Sequence, residues 1–284
     1  MMTSDWFTTS DGVKLKYQIT GTGPAFVLAN GLGGSFPAWH YIIDYFSDHF
    51  TFYTWDYRGL FESTGPEDPD SITVHSQSRD LDELMAFWGI EKAVFAGWSY
   101  GGQVLVDYYS KRPEKFKALI LLNAMVGSAG DSQSIPTVLL PLYKRILGLW
   151  SMGWHMLKPL AGKAVSSGVF LNFIKGTGLI SSSLDDLLFE EMALNFVNLD
   201  HKAFQATLES AQNFNGMDVL DTITIPALVI AGSRDFIVMP SSSRTIASRI
   251  PNCNLKIIKN TSHYSAVEKP AEVITSMENF ISRL

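Results

Sequence analysis

The opening of the chain alternates apolar and polar positions. Val13, Leu15, Tyr17 and Ile19 fall on one face of an extended segment, and turn-forming residues follow at 21–24. Because the side chains of a strand point alternately to its two faces, this spacing predicts an antiparallel hairpin at the edge of a sheet.

Later apolar runs are continuous, which is typical of strands buried on both faces of a sheet. They are Ala25 to Ala29, Phe52 to Trp55, Ala93 to Trp98, Ala118 to Leu122, Ala227 to Ala231 and Leu255 to Ile258. Helical patterns separate several of them, at Trp39 to Phe46, Val74 to Trp88 and Tyr100 to Lys111. Since parallel neighbours require a crossover, the alternation predicts an α/β fold with a mostly parallel central sheet and helices on both faces.

The alternation stops between about Ala124 and Gly216, where helical-looking pieces rich in Gly, Ser, Met, Trp and Leu follow one another. A strand-like run at Ile225 to Ile230 then restores the sheet pattern. We therefore predict a core formed by residues 1–123 and 217–284, with a helical cap inserted at 124–216. A C-terminal helical subdomain is the alternative interpretation.

Composition narrows the class of protein. The chain has 284 residues, a hydrophobic fraction of 46% and a charged fraction of 18%, and no apolar run reaches the ~20 residues of a membrane span. Its net charge is -6 and it has no stripe of Lys or Arg, so we expect a soluble protein with a small-molecule substrate and no nucleic acid partner.

The N-terminus has an acidic residue where a secretory signal needs positive charge, which favours a cytoplasmic location. The single Cys253 cannot form an internal disulfide. His, Cys and carboxylate residues do not have the spacing of a metal site, and we expect neither a metal nor another cofactor.

One turn carries candidate chemistry. The predicted strand Ala93 to Ala96 runs into Gly97-Trp98-Ser99-Tyr100-Gly101, and helix-forming residues follow. Gly-x-Ser-x-Gly occurs by chance in roughly one chain in ten of this length, so the strand-turn-helix context decides. A sharp turn exposes the Ser99 hydroxyl by forcing the serine into a strained backbone conformation. Side chains at Gly97 and Gly101 would clash with the backbone of this turn.

Four other segments complete a pattern. They are Asn30-Gly31-Leu32-Gly33-Gly34, Asp56-Tyr57-Arg58-Gly59, the segment that ends in Asp235, and the loop that contains His263. Together with the Ser99 turn they make the chain similar to the α/β-hydrolase superfamily, in its capped carboxylesterase-like branch, along almost the whole length. The resemblance implies an α/β-hydrolase fold and a Ser-His-Asp triad that needs no cofactor.

A serine hydroxyl needs a base near neutral pKa, and histidine fits. The resemblance places the catalytic histidine in the loop after the last strand, where His263 lies. The other five histidines are interpreted as surface residues of the core or as part of the cap: His40, His49, His75, His155 and His201.

The imidazole in turn needs a carboxylate that orients it. Asp235 follows a predicted buried strand, at the strand end where open sheets place their sites. The order Ser99, Asp235, His263 is that of the superfamily. Other acids remain open, namely Asp56, Asp218 and Asp221, as does an ordinary ion pair of Asp235 with Arg234 or Arg244. Some relatives place the acid after the sixth strand, but Asn123 stands there.

By resemblance, the backbone N–H groups of Leu32 and Tyr100 form the oxyanion hole. Relatives often have His where Asn30 stands, and its expected role is to shape the loop. The segment 56–59 is interpreted as structural; relatives usually have a glycine where this chain has Phe61.

The expected substrate pocket includes Trp98, Phe61 and Trp154. The cap is rich in Met and aromatic residues, which suits a small apolar substrate but also an ordinary core: Trp150, Met152, Trp154, Met156, Phe170, Phe173 and Phe196.

The resulting hypothesis is a serine hydrolase that cleaves a carboxylic ester or related acyl bond. Carbon-carbon bond hydrolases, lactonases and thioesterases share the triad and remain alternatives. Ser99 argues against dehalogenases and epoxide hydrolases, whose similar turns carry Asp. A ligand receptor on the same scaffold is the second class of function.

Overall fold

A computed structural model describes residues 2–128, 160–168, 171–172, 175–176, 180 and 184–284. Eight strands form one sheet in the order β1-β2-β4-β3-β5-β6-β7-β8. The strands are β1 (Thr3–Thr8), β2 (Lys14–Gly21), β3 (Ala25–Ala29), β4 (Thr51–Trp55), β5 (Ala93–Trp98), β6 (Phe116–Leu122), β7 (Ala227–Gly232) and β8 (Cys253–Ile258).

The sheet is mostly parallel, as predicted. β1 pairs antiparallel with β2, and β2 pairs antiparallel with β4, so the predicted hairpin lies at one edge. All pairs from β4 through β3, β5, β6 and β7 to β8 are parallel. This strand order and pairing give the α/β architecture with a mostly parallel central sheet that the sequence predicts.

Eight α-helices have both ends within the described residues, and further helical residues lie at 160–166, 171–172 and 175–176. The eight helices are α1 (His40–Phe46), α2 (Val74–Phe87), α3 (Gly101–Lys111), α4 (Asp186–Val197), α5 (His201–Asn213), α6 (Pro240–Arg249), α7 (Ser265–Glu268) and α8 (Pro270–Ile281). Four short 3-10 helices are also described. They lie at Phe36–Trp39, Pro69–Ser71, Pro113–Lys115 and Met217–Thr222. None of the described helices is long and apolar enough to cross a membrane.

Two hydrophobic cores explain why the central strands are apolar without alternation. Phe95 of β5 belongs to the core that packs against α2, α3 and α6, whereas its neighbours Val94 and Ala96 belong to the core beneath α1 and α8. Successive side chains of a strand point to opposite faces, and both faces are covered here. The prediction of helices on both faces is confirmed.

Local sequence sets where the helices begin. In α2, the Thr73 side chain accepts a hydrogen bond from the Ser76 N–H at 3.0 Å, and the Ser76 hydroxyl oxygen accepts one from the Thr73 N–H at 2.8 Å. This capping box satisfies two backbone donors at the start of the helix. α2 ends at Phe87, one residue before the predicted end, and Gly89 follows with a φ of 66°.

Parallel pairing places the carboxyl ends of β3 to β8 at one edge of the sheet. The segments that follow these strands therefore meet there, including those that begin at Asn30, Ser99, Asn123 and Ser233. This edge is where open α/β sheets hold their ligands.

A buried ion pair ties the loop after β4 to α2. Arg58 donates through Nε to Asp80 Oδ2 at 2.7 Å and through Nη2 to Asp80 Oδ1, and the exposed fractions of the two side chains are 1% and 0%. Arg58 Nη1 also donates to Asp11 Oδ2 at 3.0 Å, an atom that Arg79 binds at 2.6 Å from the solvent side. These ion pairs hold the loop after β4 against α2, in line with the structural interpretation of residues 56–59.

Replacing Arg58 tests this dependence. We expect Arg58→Met to lower the free energy of unfolding by about 3–5 kcal/mol, because it leaves the Asp80 carboxylate buried and unpaired. Arg79→Met is the matched control, since its half-exposed guanidinium binds the same Asp11, and should change stability by less than about 1 kcal/mol. The measurement is urea unfolding; equal losses in both variants would contradict the account.

Candidate active site

The turn after β5 holds Ser99 in a backbone conformation that few residues adopt. Its φ is 53°, in the left-handed region. The Ser99 N–H donates to Leu122 O at 3.1 Å, and its carbonyl accepts from Gly102 N at 3.0 Å and Met125 N at 2.9 Å. Since a non-glycine residue with positive φ is strained and needs support, these bonds hold the side chain at the end of the sheet.

The glycines that flank Ser99 have a steric reason. A Cβ at Gly97 would lie 2.7 Å from Gly101 O, and a Cβ at Gly101 would lie 2.2 Å from Ala29 O. Both distances are shorter than side chains tolerate without backbone movement. The predicted need for small residues on either side of Ser99 is confirmed.

Asp235 and His263 meet at the same edge. His263 Nδ1 lies 2.8 Å from Asp235 Oδ2, and both residues are buried. The other oxygen, Oδ1, accepts from Ile237 N and Val238 N, each at 2.8 Å. Asp235 therefore binds the imidazole and its own loop, whereas the alternative pairing with Arg234 or Arg244 is not among its described contacts.

Trp98 connects this pair to the serine. Its indole Nε1 donates to His263 O at 3.1 Å, and its ring centroid lies 5.7 Å from that of His263. Trp98 directly precedes Ser99, so this hydrogen bond holds the histidine loop against the serine turn. Trp98 is buried beneath Gly34, where a Cβ would lie 2.2 Å from the indole.

The loop after β3 presents backbone donors. In the described part of the chain, the N–H groups of Leu32 and Tyr100 donate to no protein acceptor. Asn30 holds the loop, because its Oδ1 accepts from Trp39 Nε1 at 2.8 Å and its Nδ2 donates to Trp55 O at 2.9 Å. These bonds agree with the shaping role expected for Asn30.

Of the two other expected pocket residues, Phe61 is described and Trp154 is not. Phe61 is half-buried and has a φ of 52°, in the left-handed region. It lines a cavity between its own loop and the start of α5, together with Asn198 and Ala203. Trp154 lies outside the described residues, as do five other cap residues singled out in the sequence: Trp150, Met152, Met156, Phe170 and Phe173.

The competing acids have other partners. Asp56 accepts from Glu62 N at 3.2 Å, and burial raises its pKa to about 7 despite this bond. Asp218 and Asp221 both pair with Arg249 at the surface. Among the described residues, only Asp235 of these acids contacts an imidazole of the predicted site.

The competing histidines are peripheral. His40, His49 and His75 are exposed, as predicted, and His75 pairs with Asp107 at 2.7 Å. His201 is half-buried at the start of α5, and His155 lies outside the described residues.

Sequence reasoning missed the polar residues behind the histidine loop. Asn123 donates to Asp235, and the buried Glu268 accepts from Ser262 N at 2.7 Å and from the Ser262 hydroxyl at 2.6 Å. Burial raises the pKa of Tyr264 to about 12, with further contributions from Asp235 and Glu268, so its hydroxyl stays protonated. Apart from the place of Asn123 at a strand end, the sequence holds no signal for these contacts.

Helix α4 contacts both the loop after β3 and the loop that contains His263. Phe196 contacts the loop after β3 so closely that a Cβ at Gly33 would lie 2.6 Å from its ring. Asn195 Nδ2 donates to Ser35 Oγ at 3.4 Å, and Phe189 packs edge-on against Tyr264 at 6.2 Å between centroids. Both loops beside Ser99 therefore depend on the same helix for part of their packing.

Comparison with known proteins gives a consistent family. A model for the alpha/beta hydrolase fold matches residues 24–270. The 3-oxoadipate enol-lactonase 2 of Acinetobacter baylyi is 26% identical, over 97% of this chain and 96% of its own length.

Two solved structures share the fold. An esterase from Exiguobacterium antarcticum aligns with a TM-score of 0.81 at 15% identity, covering 99% of this chain and 100% of its own. An enol-lactonase from Burkholderia xenovorans aligns with a TM-score of 0.77 at 22% identity, covering 98% and 100%.

The serine turn allows a steric prediction. We expect Gly101→Ala to lower the free energy of unfolding by about 1–3 kcal/mol, because the new methyl group would overlap Ala29 O and force the backbone apart. Gly162→Ala is the control: no atom of the described residues lies within 4 Å of a Cβ at this helical position, and alanine should be neutral or stabilising there. Chemical denaturation of both variants measures the free energies of unfolding. A Gly101→Ala variant as stable as the wild type would argue against the close contact between Gly101 and Ala29 O.

Proposed function

The chain belongs to the α/β-hydrolase fold family, and we propose that it is a serine hydrolase that cleaves carboxylic ester bonds of a small apolar substrate. The observation that carries the proposal is the buried hydrogen bond between His263 and Asp235, held against the strained turn of Ser99 by Trp98. Esters suit this arrangement, because attack on their carbonyl carbon needs a nucleophile, a base and a stabiliser of negative charge.

The orientation of His263 decides which nitrogen acts as the base. Nδ1 is occupied by Asp235 Oδ2, so Nε2 is the nitrogen left to accept the proton of the Ser99 hydroxyl. Ser99 Oγ then forms a bond to the carbonyl carbon of the ester. The carboxylate of Asp235 stabilises the imidazolium that results from this transfer.

Negative charge develops on the carbonyl oxygen in this step. We assign its stabilisation to the backbone N–H groups of Leu32 and Tyr100, whose lack of described protein acceptors supports the assignment. The imidazolium next donates its proton to the alkoxide leaving group, and the C–O bond breaks. Water, deprotonated by His263, attacks the acyl-serine, and proton return to Ser99 releases the carboxylic acid.

We propose that residues 124–216 form a helical cap that chooses the substrate. Support comes from α4 and α5, which lie between β6 and β7 in the chain, and from the contact of Phe196 with the loop that carries Leu32. Met192 and Tyr264 border a small cavity next to Trp98. These apolar surfaces favour an apolar acyl or alcohol group.

Lactone hydrolysis is the second candidate. A lactone is a cyclic ester and uses the same triad, and a relative named as an enol-lactonase matches nearly the whole chain at 26% identity. Ring opening leaves the alcohol attached to the acyl group, so the pocket must hold both ends of one molecule. A panel of short p-nitrophenyl esters and five- and six-membered lactones separates the two candidates by kcat/KM.

Removing the nucleophile tests the mechanism. We expect Ser99→Ala to lower kcat/KM on short p-nitrophenyl esters by about 10⁴-fold or more, and to abolish labelling by a fluorophosphonate. Ser276→Ala, on the exposed face of α8, is the control and should keep both. Full activity in Ser99→Ala would overturn the mechanism. Tight ligand binding with negligible turnover, whether or not Ser99 is intact, would instead indicate a receptor.

A further inference from the structure

Asn123 lies where the serine, acid and histidine segments meet. It follows β6 directly, is fully buried and has a φ of 46°. Its N–H donates to Ile230 O of β7 at 2.7 Å. Asparagine tolerates the left-handed region better than most residues, but a fully buried amide also needs partners for its side chain.

The side chain of Asn123 has three such partners. Nδ2 donates to Asp235 Oδ2 at 2.8 Å and to Ser262 O at 3.3 Å, and Oδ1 accepts from the Ser265 hydroxyl. A carboxylate and a carbonyl oxygen are acceptors only, so the NH₂ group is the end of the amide that can face both. The orientation of the amide therefore follows from its neighbours.

The contact with Asp235 completes a set of four hydrogen bonds. Oδ1 accepts from two backbone N–H groups, and Oδ2 is shared between His263 Nδ1 and Asn123 Nδ2. The oxygen atoms of a carboxylate this deeply buried need hydrogen-bond donors, because burial removes them from water. Among the described donors to this carboxylate, Asn123 is the one that belongs to neither the loop of Asp235 nor the histidine.

The same amide reaches the histidine loop. Ser262 precedes His263, and its carbonyl oxygen is the second acceptor of Asn123 Nδ2. The other side of this loop is held by Glu268, through the N–H and hydroxyl of Ser262. A single side chain thus touches the acid and the segment that carries the base.

We propose that Asn123 is a positioning residue of the hydrolase: it fixes the orientation of the Asp235 carboxylate and keeps the loop of His263 in register with it. This inference rests on the proposed function. Asn123 acts through Asp235 and has no role in contacting the substrate, so its loss should lower kcat and leave KM nearly unchanged.

The first test removes the side chain without straining the backbone. Asn123→Gly keeps the positive φ accessible and should lower kcat on short p-nitrophenyl esters by about 10- to 100-fold, the effect of one lost hydrogen bond to a charged group. Asn260→Gly is the matched control, since Asn260 also has a positive φ of 57° but an exposed side chain. It should retain wild-type kcat. Wild-type kcat in Asn123→Gly, or an equal loss in both variants, would overturn the proposal.

The second test keeps the shape of the side chain and changes its protonation. Asn123→Asp is nearly isosteric, and as a neutral acid it can still donate to Asp235 Oδ2. Once ionised, the new carboxylate has no donor and repels the Asp235 carboxylate. Repulsion of this kind raises the pKa of one of two carboxylates that share a site. The variant should therefore lose activity as pH rises through that ionisation, where the wild type keeps its alkaline plateau.

The other ionisable groups near Asn123 have to be distinguished from the new carboxylate in the pH profile of Asn123→Asp. They are His263, Tyr264, whose phenol stays neutral because its pKa is about 12, and Glu268, which is bound to Ser262. The profile of Asn260→Asp should match that of the wild type. A merely space-filling role for Asn123 predicts a wild-type profile for Asn123→Asp as well, and that result would overturn the proposal.

Labelling separates this proposal from the proposed function. If folded wild-type protein reacts with a fluorophosphonate at Ser99 but the Asn123 variants show wild-type kcat and pH profiles, only the positioning role fails. If the wild type is not labelled at Ser99, the serine mechanism itself fails. Circular dichroism and urea unfolding confirm that each variant is folded before its kinetics are compared.

Discussion

The parallel pairing of β3 to β8 is the constraint on which the rest of the molecule depends. Parallel strands end at the same edge, so segments far apart in the chain meet there through backbone hydrogen bonds alone. Ser99 follows the central strand β5, while Asn123 and Asp235 follow strands on one side of it. A register slip in any of these pairs would separate the groups that have to act together.

A second constraint is that buried polar groups at this edge need partners. Asn30 binds the Trp39 indole N–H and the Trp55 backbone carbonyl beneath the loop after β3, and Asn123 binds the Asp235 carboxylate and the Ser262 carbonyl beneath the histidine loop. Each amide bridges segments that the strands only bring near one another. Because an unpaired buried donor or acceptor destabilises the folded state, these bonds restrict the loops to one arrangement.

Helix α4 adds a connection that the sheet does not supply. Phe196 and Asn195 contact the loop after β3, and Phe189 packs on Tyr264 beside His263. Movement of this helix would change the packing of both loops together. The helix that borders the proposed pocket therefore directly contacts the loops that carry Leu32 and His263.

Sequence alone determined the elements whose signals are local. Continuous apolar runs identified the central strands, because both faces of the sheet are covered, and Gly97 and Gly101 marked a turn that excludes larger side chains. The hypothesis of a serine, an aspartate and a histidine at one edge came from these elements together with family resemblance.

Only the tertiary structure decided which polar residues stand behind that edge. Asn123 and Ser265 are 142 positions apart and share a hydrogen bond, and Asn123 reaches Asp235 across 112 positions. Phe61 lines a cavity together with residues at the start of α5, a neighbourhood that the local sequence does not indicate. Periodicity reports which face of an element a residue occupies, whereas hydrogen bonds across strands depend on register and loop path, which no local pattern encodes.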